Sequence, residues 1–325
     1  MAYLGLIAGG FVALGSRRVA ASRIFLVAAN MLLFGIMSMD YRLRSNQLYM
    51  LFWLNAVFLF WPLGRWAIPL ILISFYFWSG CLKLNEDWLS GAALYHELWL
   101  IPTRFTKAAC IYVVALEIVM SWGLLSGRRW VRWLVLSQLA LFHLESLSQI
   151  HWFYAALMAT MLAWFAMETL DEETGRPALS QLLRGHAPRS AYVLLALFAV
   201  PQLAPLLYRG DTTLNGQGRI LALRMFEYRP VCEVSATLHY PARQSETIDL
   251  KLADLTPRFV CDPIVYYSRV ENICRSRSET GLTDVDLFMK VKRTTDPSYR
   301  TIIDERDFCN PPRQYSVIFN NSWIH

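Results

Sequence analysis

The chain has 325 residues, of which 55% are hydrophobic and 17% carry a charge, and its formal net charge is +6. Because soluble globular domains carry about 25% charged residues, this composition excludes an ordinary soluble protein and indicates an integral membrane protein surrounded by lipids. The excess of basic residues lies in the apolar first part of the chain, where it orients membrane helices, so it does not indicate a nucleic acid partner.

Apolar runs long enough to cross a bilayer, which takes about 20 residues, follow one another from the N-terminus. They cover residues 19–39, 47–64, 66–84, 105–126, 130–147, 150–167 and 190–208. A shorter run at residues 3–14 is an eighth span, an interfacial helix or the remainder of a longer N-terminus. We therefore predict a mostly α-helical, polytopic transmembrane bundle of seven or eight spans over residues 1–208.

Basic residues in the loops predict the orientation of this bundle. With the turn at Arg17 and Arg18 on the cytoplasmic side, the cytoplasmic loops receive about twice as many basic residues as the outer loops, as the positive-inside rule requires. Lys83 and the residues after Tyr208 then lie on the extracytoplasmic side of an inner or plasma membrane.

The character of the sequence changes after Tyr208. Apolar and polar residues alternate over residues 234–240, 248–252 and 285–291, which predicts half-buried strands. Asp262 followed by Pro263 predicts a helix start, because aspartate caps helices and proline suits their first position. Residues 209–325 are thus predicted to form a small extracytoplasmic α+β domain.

Four of the six cysteines lie in this outer domain, which is typical of disulfides in an oxidising compartment. They are Cys232, Cys261, Cys274 and Cys309. Cys261 and Cys274 flank the predicted helix and lie roughly 18 Å apart along it, beyond the reach of a disulfide. We expect Cys232 to pair with one of them and Cys309 with the other. A zinc site is the weaker alternative because paired CxxC spacings are missing, and no metal is predicted.

One apolar run ends on Lys83, and a polar turn with two acids and Trp88 follows at once. On a helix, Lys83 shares a face with Tyr76, Ser79 and Gly80. This face is small near the amine and aromatic one turn deeper, so it suits a flat ligand at the bilayer edge. The alternative is a lysine that reaches the interface at the end of a span, with Trp88 in the aromatic belt.

Four further ionisable residues lie in or beside apolar runs. Glu117 sits inside one, where an unpaired carboxylate is costly, so we expect a partner, a water-filled cavity or a protonated side chain. His143, Glu145 and His151 fall at the depth of Lys83, and the alternative for the two histidines is an interfacial side chain bonded to backbone or water. A lysine used as a base must be neutral; burial favours this state, and the nearby acids oppose it.

The stretch 80–88 has the pattern G-x-x-K-L-x-x-D-W and resembles the HTTM membrane domain, which the vitamin K-dependent gamma-carboxylases share with many bacterial proteins. Phe142-His143, Ser148-Gln149 and Phe153 are similar to a later segment of that domain, and the similarity covers most of residues 20–170. The resemblance implies that Lys83 is the base that starts oxidation of a reduced quinone, like vitamin K hydroquinone, by oxygen. The strong base so produced removes a glutamate γ-proton from a peptide or protein on the outer face, and carbon dioxide adds to the carbanion.

In this enzyme hypothesis His143 is the proton partner or orienting group of Lys83. The residues expected to bind the quinone are Asn46, Gln47, Tyr76, Trp78, Ser79, Trp88, Glu117 and His151. The chain also departs from the family, which places a functional histidine after an asparagine in an earlier span. Here Gln47 follows Asn46, and glutamine cannot take a proton. The outer domain is also smaller than that of the carboxylases, so quinol or lipid-like redox chemistry at Lys83 is retained in place of full peptide carboxylation.

A second hypothesis is not catalytic. The Gly-x-x-Lys-Leu turn also looks like that of DoxX-type four-helix membrane proteins, which are linked with redox systems and act as accessory subunits. In this hypothesis the outer domain binds a partner and Lys83 only anchors a helix.

Overall fold

The computed structural model describes most of the chain as helices, followed by a small antiparallel sheet. It describes residues 1–39, 46–59, 66–149, 152–170, 177–223, 228–241, 244–250, 259–276 and 281–325, without the side chains of residues 57, 58, 153 and 168. All structural statements below refer to these residues.

Helices form at each of the apolar runs predicted from the sequence. They are α1 (Ala2–Gly15), α2 (Val19–Met39), α3 (Asn46–Leu59), α4 (Ala67–Leu82), α6 (Thr106–Ile118), α7 (Arg129–Ser146), α8 (Trp152–Leu170) and α10 (Arg189–Leu203). Two short helices, α5 (Glu86–Ser90) and α9 (Leu179–Leu183), lie between these runs. Short 3₁₀ helices at Thr103–Phe105, Met120–Leu125 and Ala204–Leu207 extend α6 at both ends and α10 at its C-terminal end.

Three helical segments of the described chain are long and apolar enough to cross a membrane. They are Val19–Met39, Thr103–Leu125 and Arg189–Leu207. Shorter apolar helices lie at Ala2–Gly15, Ala67–Leu82 and Tyr154–Met167. The chain is therefore compatible with a membrane protein, whereas the seven or eight spans and their orientation stay predictions.

The helix that ends at Lys83 occupies the centre of the bundle. Every residue of α4 from Ala67 to Tyr76 is buried, and the helix contacts α3, α6, α8 and α10. A helix that is apolar on all sides is stable only when neighbours surround it. The position of α4 thus follows from its composition, and it places its polar C-terminal end at one end of the bundle.

The C-terminal part of the chain, named the outer domain after its predicted side, is a four-stranded antiparallel sheet covered on one face by a helix. Its elements are a single-turn α11 (Thr212–Asn215), β1 (Pro230–His239), β2 (Glu246–Asp249), α12 (Pro263–Arg275), β3 (Asp284–Arg293) and β4 (Arg300–Glu305), with strand order β2-β1-β3-β4. The predicted strands and helix are all present. The predicted inward residues of β3 are buried, and of those in the first predicted strand Val234 and Ala236 are buried, whereas Leu238 and Tyr240 are only partly buried. Strand β4 lacks a clear alternation and was not predicted; pairing with β3 creates it. Position 252 of the predicted second strand lies outside the described residues.

Two disulfides connect α12 and the residue segment just before it to β1 and to the segment after β4. Cys232 on β1 bonds to Cys261, and Cys274 near the end of α12 bonds to Cys309. The predicted pairing is confirmed, including the exclusion of a bond between Cys261 and Cys274. The two remaining cysteines, Cys81 and Cys110, are free thiols in the bundle.

Candidate functional site

Lys83 ends the central helix with its amine buried against two polar partners. Its Nζ lies 2.5 and 2.6 Å from the two carboxylate oxygens of Glu117 on α6 and 2.9 Å from the hydroxyl of Ser79, one turn back. Lys83 is 3% exposed and Glu117 is 1% exposed. Removing such ions from water costs several kcal/mol for each, and only close pairing offsets the cost. The carboxylate inside the apolar run therefore has a charged partner.

Gly80 allows the two helices to approach closely enough for this pair to form. A Cβ atom at position 80 would lie 2.6 Å from Cγ1 of Ile118 and 2.9 Å from Cβ of Glu117. Such distances are shorter than carbon atoms tolerate, so any larger residue would push α6 away from α4. The glycine of the motif thus sets the distance between lysine and glutamate.

Two aromatic rings also contact the amine. The ring centroid of Trp88 lies 4.9 Å from Nζ of Lys83 and that of Phe142 lies 5.4 Å away, distances at which a ring face attracts a cation. The indole Nε1 of Trp88 donates a hydrogen bond of 3.1 Å to the carbonyl oxygen of Cys110. This bond fixes the orientation of the ring beside the amine.

His143 lies deeper in the bundle and is joined to the lysine helix through a tyrosine. Its Nε2 is 2.8 Å from the hydroxyl of Tyr76 on α4. Its Nδ1 is buried and has no hydrogen-bond partner among the described residues. The ring lines a groove of about 580 Å³ between α7 and α8, whose other walls are mostly alanine and leucine. His143 does not line the cavity reached by Lys83, so its geometry suits positioning of Tyr76 rather than contact with a ligand.

An apolar cavity of about 320 Å³ opens beside the amine of Lys83. Helices α6, α7 and α8 and the segment after α5 form its walls. Its lining residues are Lys83, Trp88, Ala93, Leu94, Tyr95, Leu98, Leu100, Ile101, Ala109, Cys110, Tyr112, Val113, Leu116, Gln138, Leu141, Phe142, Glu145, Ser146, Gln149 and Tyr154. Small-molecule sites commonly have this size and this mixture of many apolar walls with few polar groups.

One wall of the cavity is the loop 91–105, which the end of α7 holds in place. The Glu145 carboxylate accepts hydrogen bonds from the backbone amides of Trp99, at 2.5 Å, and Leu100, at 2.8 Å. The side-chain oxygen of Gln149 accepts from the amides of Tyr95 and His96. The part of this loop before the 3₁₀ turn Thr103–Phe105 is thereby fixed at two points by side chains from one neighbouring segment.

The polar end of the motif organises the turn and attaches the outer domain. The side chain of Asn85 caps α5 by accepting from the amide of Trp88 at 3.0 Å. The buried carboxylate of Asp87 accepts from the amide of Arg229 at 3.2 Å and from the amide of Thr295 at 3.0 Å, and also from the Thr295 hydroxyl. Asp87 therefore joins the lysine turn to one end of the β1–β3 pair, where β1 begins and β3 ends.

The structure brings together some predicted site residues and separates others. Lys83 and Trp88 line the cavity, Ser79 and Glu117 bind the amine, and Tyr76 binds His143. The remaining predictions do not join this group. Trp78 is half-buried against Phe77 on another face of α4, and Asn46 and Gln47 begin α3 without lining the cavity, while position 151 lies outside the described residues.

Several cavity residues carry little sequence signal of their own. Cys110 and Val113 share a face of α6 with Glu117, so the periodicity of that helix points to them once Glu117 is chosen. The residues of the loop 91–105 have no such periodicity. Glu145 and Gln149 act on this loop, and only the tertiary structure pairs them with its backbone.

No group of three metal-ligating side chains is found within the described residues. Comparison with protein-family models, with curated proteins and with solved structures finds no match for this chain. The similarity to the HTTM domain therefore stays a prediction that rests on the motifs around Lys83 and His143.

Proposed function

We propose that this chain is a membrane enzyme that binds a reduced quinone in the cavity beside Lys83 and starts its oxidation with Lys83 as the base. The observation that carries the proposal is that the amine of Lys83 faces an apolar, ring-lined cavity of about 320 Å³. A lysine with a purely anchoring role has no need of a ligand-sized cavity.

The lining of the cavity fits a flat, hydroxyl-bearing ring. Tyr95, Tyr112 and Tyr154 join Trp88 and Phe142 as aromatic walls, and aromatic pairs favour offset or edge-to-face contacts with a second ring. Apart from the tyrosine hydroxyls, the polar lining residues are few: Lys83, Gln138, Glu145, Ser146 and Gln149. A ring system with one hydroxyl directed at the amine matches this distribution of polar and apolar surface.

When bound, a reduced quinone supplies hydroxyl protons and two electrons, and dioxygen is the electron acceptor. Nζ of Lys83 takes a hydroxyl proton, for which it must hold a free electron pair. The carboxylate of Glu117, at 2.5 Å, shares a proton with Nζ and accepts it as the amine becomes available. Ser79 holds Nζ between this carboxylate and the cavity. His143 positions Tyr76, which packs one turn below Ser79 on α4.

The carboxylation that accompanies quinol oxidation in the similar family is retained here only as an extension of the proposal. It requires a peptide or protein substrate on the outer face. The outer domain is the part of the chain available to hold one, because Asp87 attaches it directly to the lysine turn.

The test is oxygen uptake by the purified protein in nanodiscs supplied with menadiol, corrected for nanodiscs without protein. Removal of a catalytic base typically lowers the rate by 10²–10⁴-fold, so we expect a loss of this size in Lys83→Met. Lys292→Met, which removes a lysine of β3 that does not line the cavity, is the matched control and should keep the rate. Equal rates in wild type and Lys83→Met would refute Lys83 as the base.

A second variant separates catalysis from folding. Lys83→Met leaves Glu117 buried without its partner, whereas Lys83→Met combined with Glu117→Gln removes both charges. The double variant should keep its circular dichroism spectrum and unfolding temperature near those of the wild type and still lack activity. A folded double variant with wild-type oxygen uptake would contradict the proposal.

The accessory function is the second candidate, and one observation favours it. Four polar residues of the stretch 80–88 have structural contacts. Lys83 binds Glu117, Asn85 caps α5, Asp87 binds the outer domain, and Trp88 binds the carbonyl of Cys110. These contacts account for the motif without catalysis. If the wild-type protein causes no oxygen uptake above the blank with menadiol, this function is preferred.

A further inference from the structure

We infer that the loop 91–105 lies in the lipid headgroup region, contacts phospholipid with its outer side, and makes the cavity accessible from the membrane leaflet rather than from water. The first support is its place in the fold. The loop leads directly into the segment Thr103–Leu125, one of the segments apolar enough to span a membrane. A loop at the end of a span lies at the level of the lipid headgroups.

The second support is the exposure of large apolar side chains on this loop. Trp99 is 65% exposed, Leu100 is 58% exposed and Phe105 is 49% exposed. Leu84, at the end of the central helix, is also exposed beside the same turn. Clustered exposed apolar residues mark interaction sites, and tryptophan is enriched where the membrane meets water.

The third support is the charge beside these side chains. Arg104 and Lys107 are exposed at the start of the span, and the guanidinium of Arg104 lies 4.8 Å from the ring centroid of Phe105. Cations next to interfacial aromatic residues match the phosphates of the lipid headgroups. The one acidic residue of the loop, Glu97, precedes Arg104 by seven positions and follows His96, whose carbonyl accepts a hydrogen bond from Gln149. The occupant that fits this surface is therefore phospholipid.

The loop is thin enough to connect the leaflet with the cavity. Leu100 lines the cavity and is also 58% exposed, and Ile101 follows it in the same wall. The two hydrogen bonds to Glu145 hold the backbone at this point. An apolar ligand dissolved in the leaflet thus needs to pass a single layer of side chains to reach the cavity. The ligand named here rests on the proposed function, whereas the position of the loop does not.

Spin labels test the position of the loop in nanodiscs. In a Cys81→Ser, Cys110→Ser background, a spin label is attached to Trp99→Cys. The measured quantity is the ratio of the label's collision rate with oxygen to its collision rate with a water-soluble nickel complex. Ile111→Cys, exposed on the span, is the lipid reference. Glu246→Cys, exposed on β2 at the end of the sheet away from the residues that bind Asp87, is the water reference. We expect the ratio of the oxygen to the nickel collision rate at position 99 to lie between the two references or near the lipid reference. A ratio equal to that of position 246 would overturn the inference.

The same label tests the role of lipid phosphate. Arg104→Glu combined with Lys107→Glu should shift the ratio at position 99 toward water in nanodiscs that contain phosphatidylglycerol. An unchanged ratio would refute phosphate binding by these two side chains.

The native thiol of Cys110 tests access to the cavity, since it lines that cavity. In a Cys81→Ser background, a membrane-soluble alkyl maleimide should react with Cys110 at least tenfold faster than a charged maleimide, after correction for their rates with free thiol. Cys110→Ser supplies the blank. Equal corrected rates would place the opening on the water side and overturn the inference. This labelling uses no quinol, so it can succeed or fail independently of the proposed enzyme activity.

Discussion

The ion pair in the bundle and the charge network in the outer domain use the same kinds of side chain under different burial. Lys83 and Glu117 are almost fully buried and form one close pair. In the outer domain, Asp211 binds Arg293 at 2.6 Å and Arg300 at 3.3 Å, and all three are partly exposed. Both arginines also approach Asp296.

Because of this difference in burial, we expect a single charge-removing substitution to lower stability more in the bundle than in the outer domain. Arg293 and Arg300 each approach Asp296 as a second acid and are partly exposed to water, so the loss of one partner leaves charges that are still solvated. The buried pair has no such reserve, because Lys83 is the cation that balances Glu117 in an apolar environment. An ion pair between a basic and an acidic side chain therefore adds little to stability in the outer domain, whereas the buried pair is required for the stability of the bundle.

The largest expected effect comes from breaking the buried pair. Lys83→Ala should lower the free energy of unfolding by about 3–5 kcal/mol, because it leaves a buried uncompensated carboxylate. Circular dichroism during thermal unfolding in detergent measures this change. Arg300→Ala in the outer network should cost no more than about 1 kcal/mol. Similar losses in the two variants would show that burial does not distinguish the regions.

Reduction of the disulfides should affect the outer domain alone. The bonds close loops of 29 and 35 residues, for which chain entropy gives about 3–4 kcal/mol each. Mild reduction, or Cys274→Ser with Cys309→Ser, should expose the amides of β1 and β3 to hydrogen exchange. Exchange in α4 and α6 should be unchanged. Loss of protection in α4 would contradict the view that the two regions are stabilised separately.

Gly80→Ala should weaken the buried pair without removing either charge. The new methyl group overlaps Ile118 and Glu117, and such overpacking costs about 1–3 kcal/mol. Gly35→Ala in α2 is the control, because no atom lies within 4 Å of its added Cβ, and alanine is favoured over glycine in a helix by roughly 0.5–1 kcal/mol. The two unfolding temperatures should thus move in opposite directions, and a parallel shift would refute the close-contact role of Gly80.

The smallest effect is a pH dependence in the outer network. Burial raises the pKa of Asp211, but hydrogen bonding from Thr213 and the charge of Arg293 outweigh it, so the pKa lies below its ordinary value of 3.8. The carboxylate therefore contributes stability that is fully present above pH 3.8 and is lost as the pH falls through the lowered pKa. Unfolding between pH 2 and pH 6 should show this loss in the wild type but not in Asp211→Asn. An identical pH profile for both would contradict the assignment.

Local pattern predicted much of this molecule because the relevant interactions are close in sequence. The apolar runs became helices at the predicted places, and the alternation at residues 285–291 became β3 with its apolar residues buried. The excluded cysteine pair followed from the length of one helix. Strand β4 was missed because its inward residues are adjacent isoleucines, Ile302 and Ile303, beside an irregular register with β3.

The site was predictable only in part, for a physical reason. Lys83, Ser79 and Tyr76 are spaced by the helical repeat, so the sequence alone predicts that they share one face of α4. The partner of the lysine lies 34 positions away, and Asp87 binds Thr295 across 208 positions. Such contacts depend on how helices pack and how domains dock, and neither has a period in the sequence. Only the tertiary structure decided that Glu117 balances Lys83, that Glu145 holds the cavity loop, and that the lysine turn carries the outer domain.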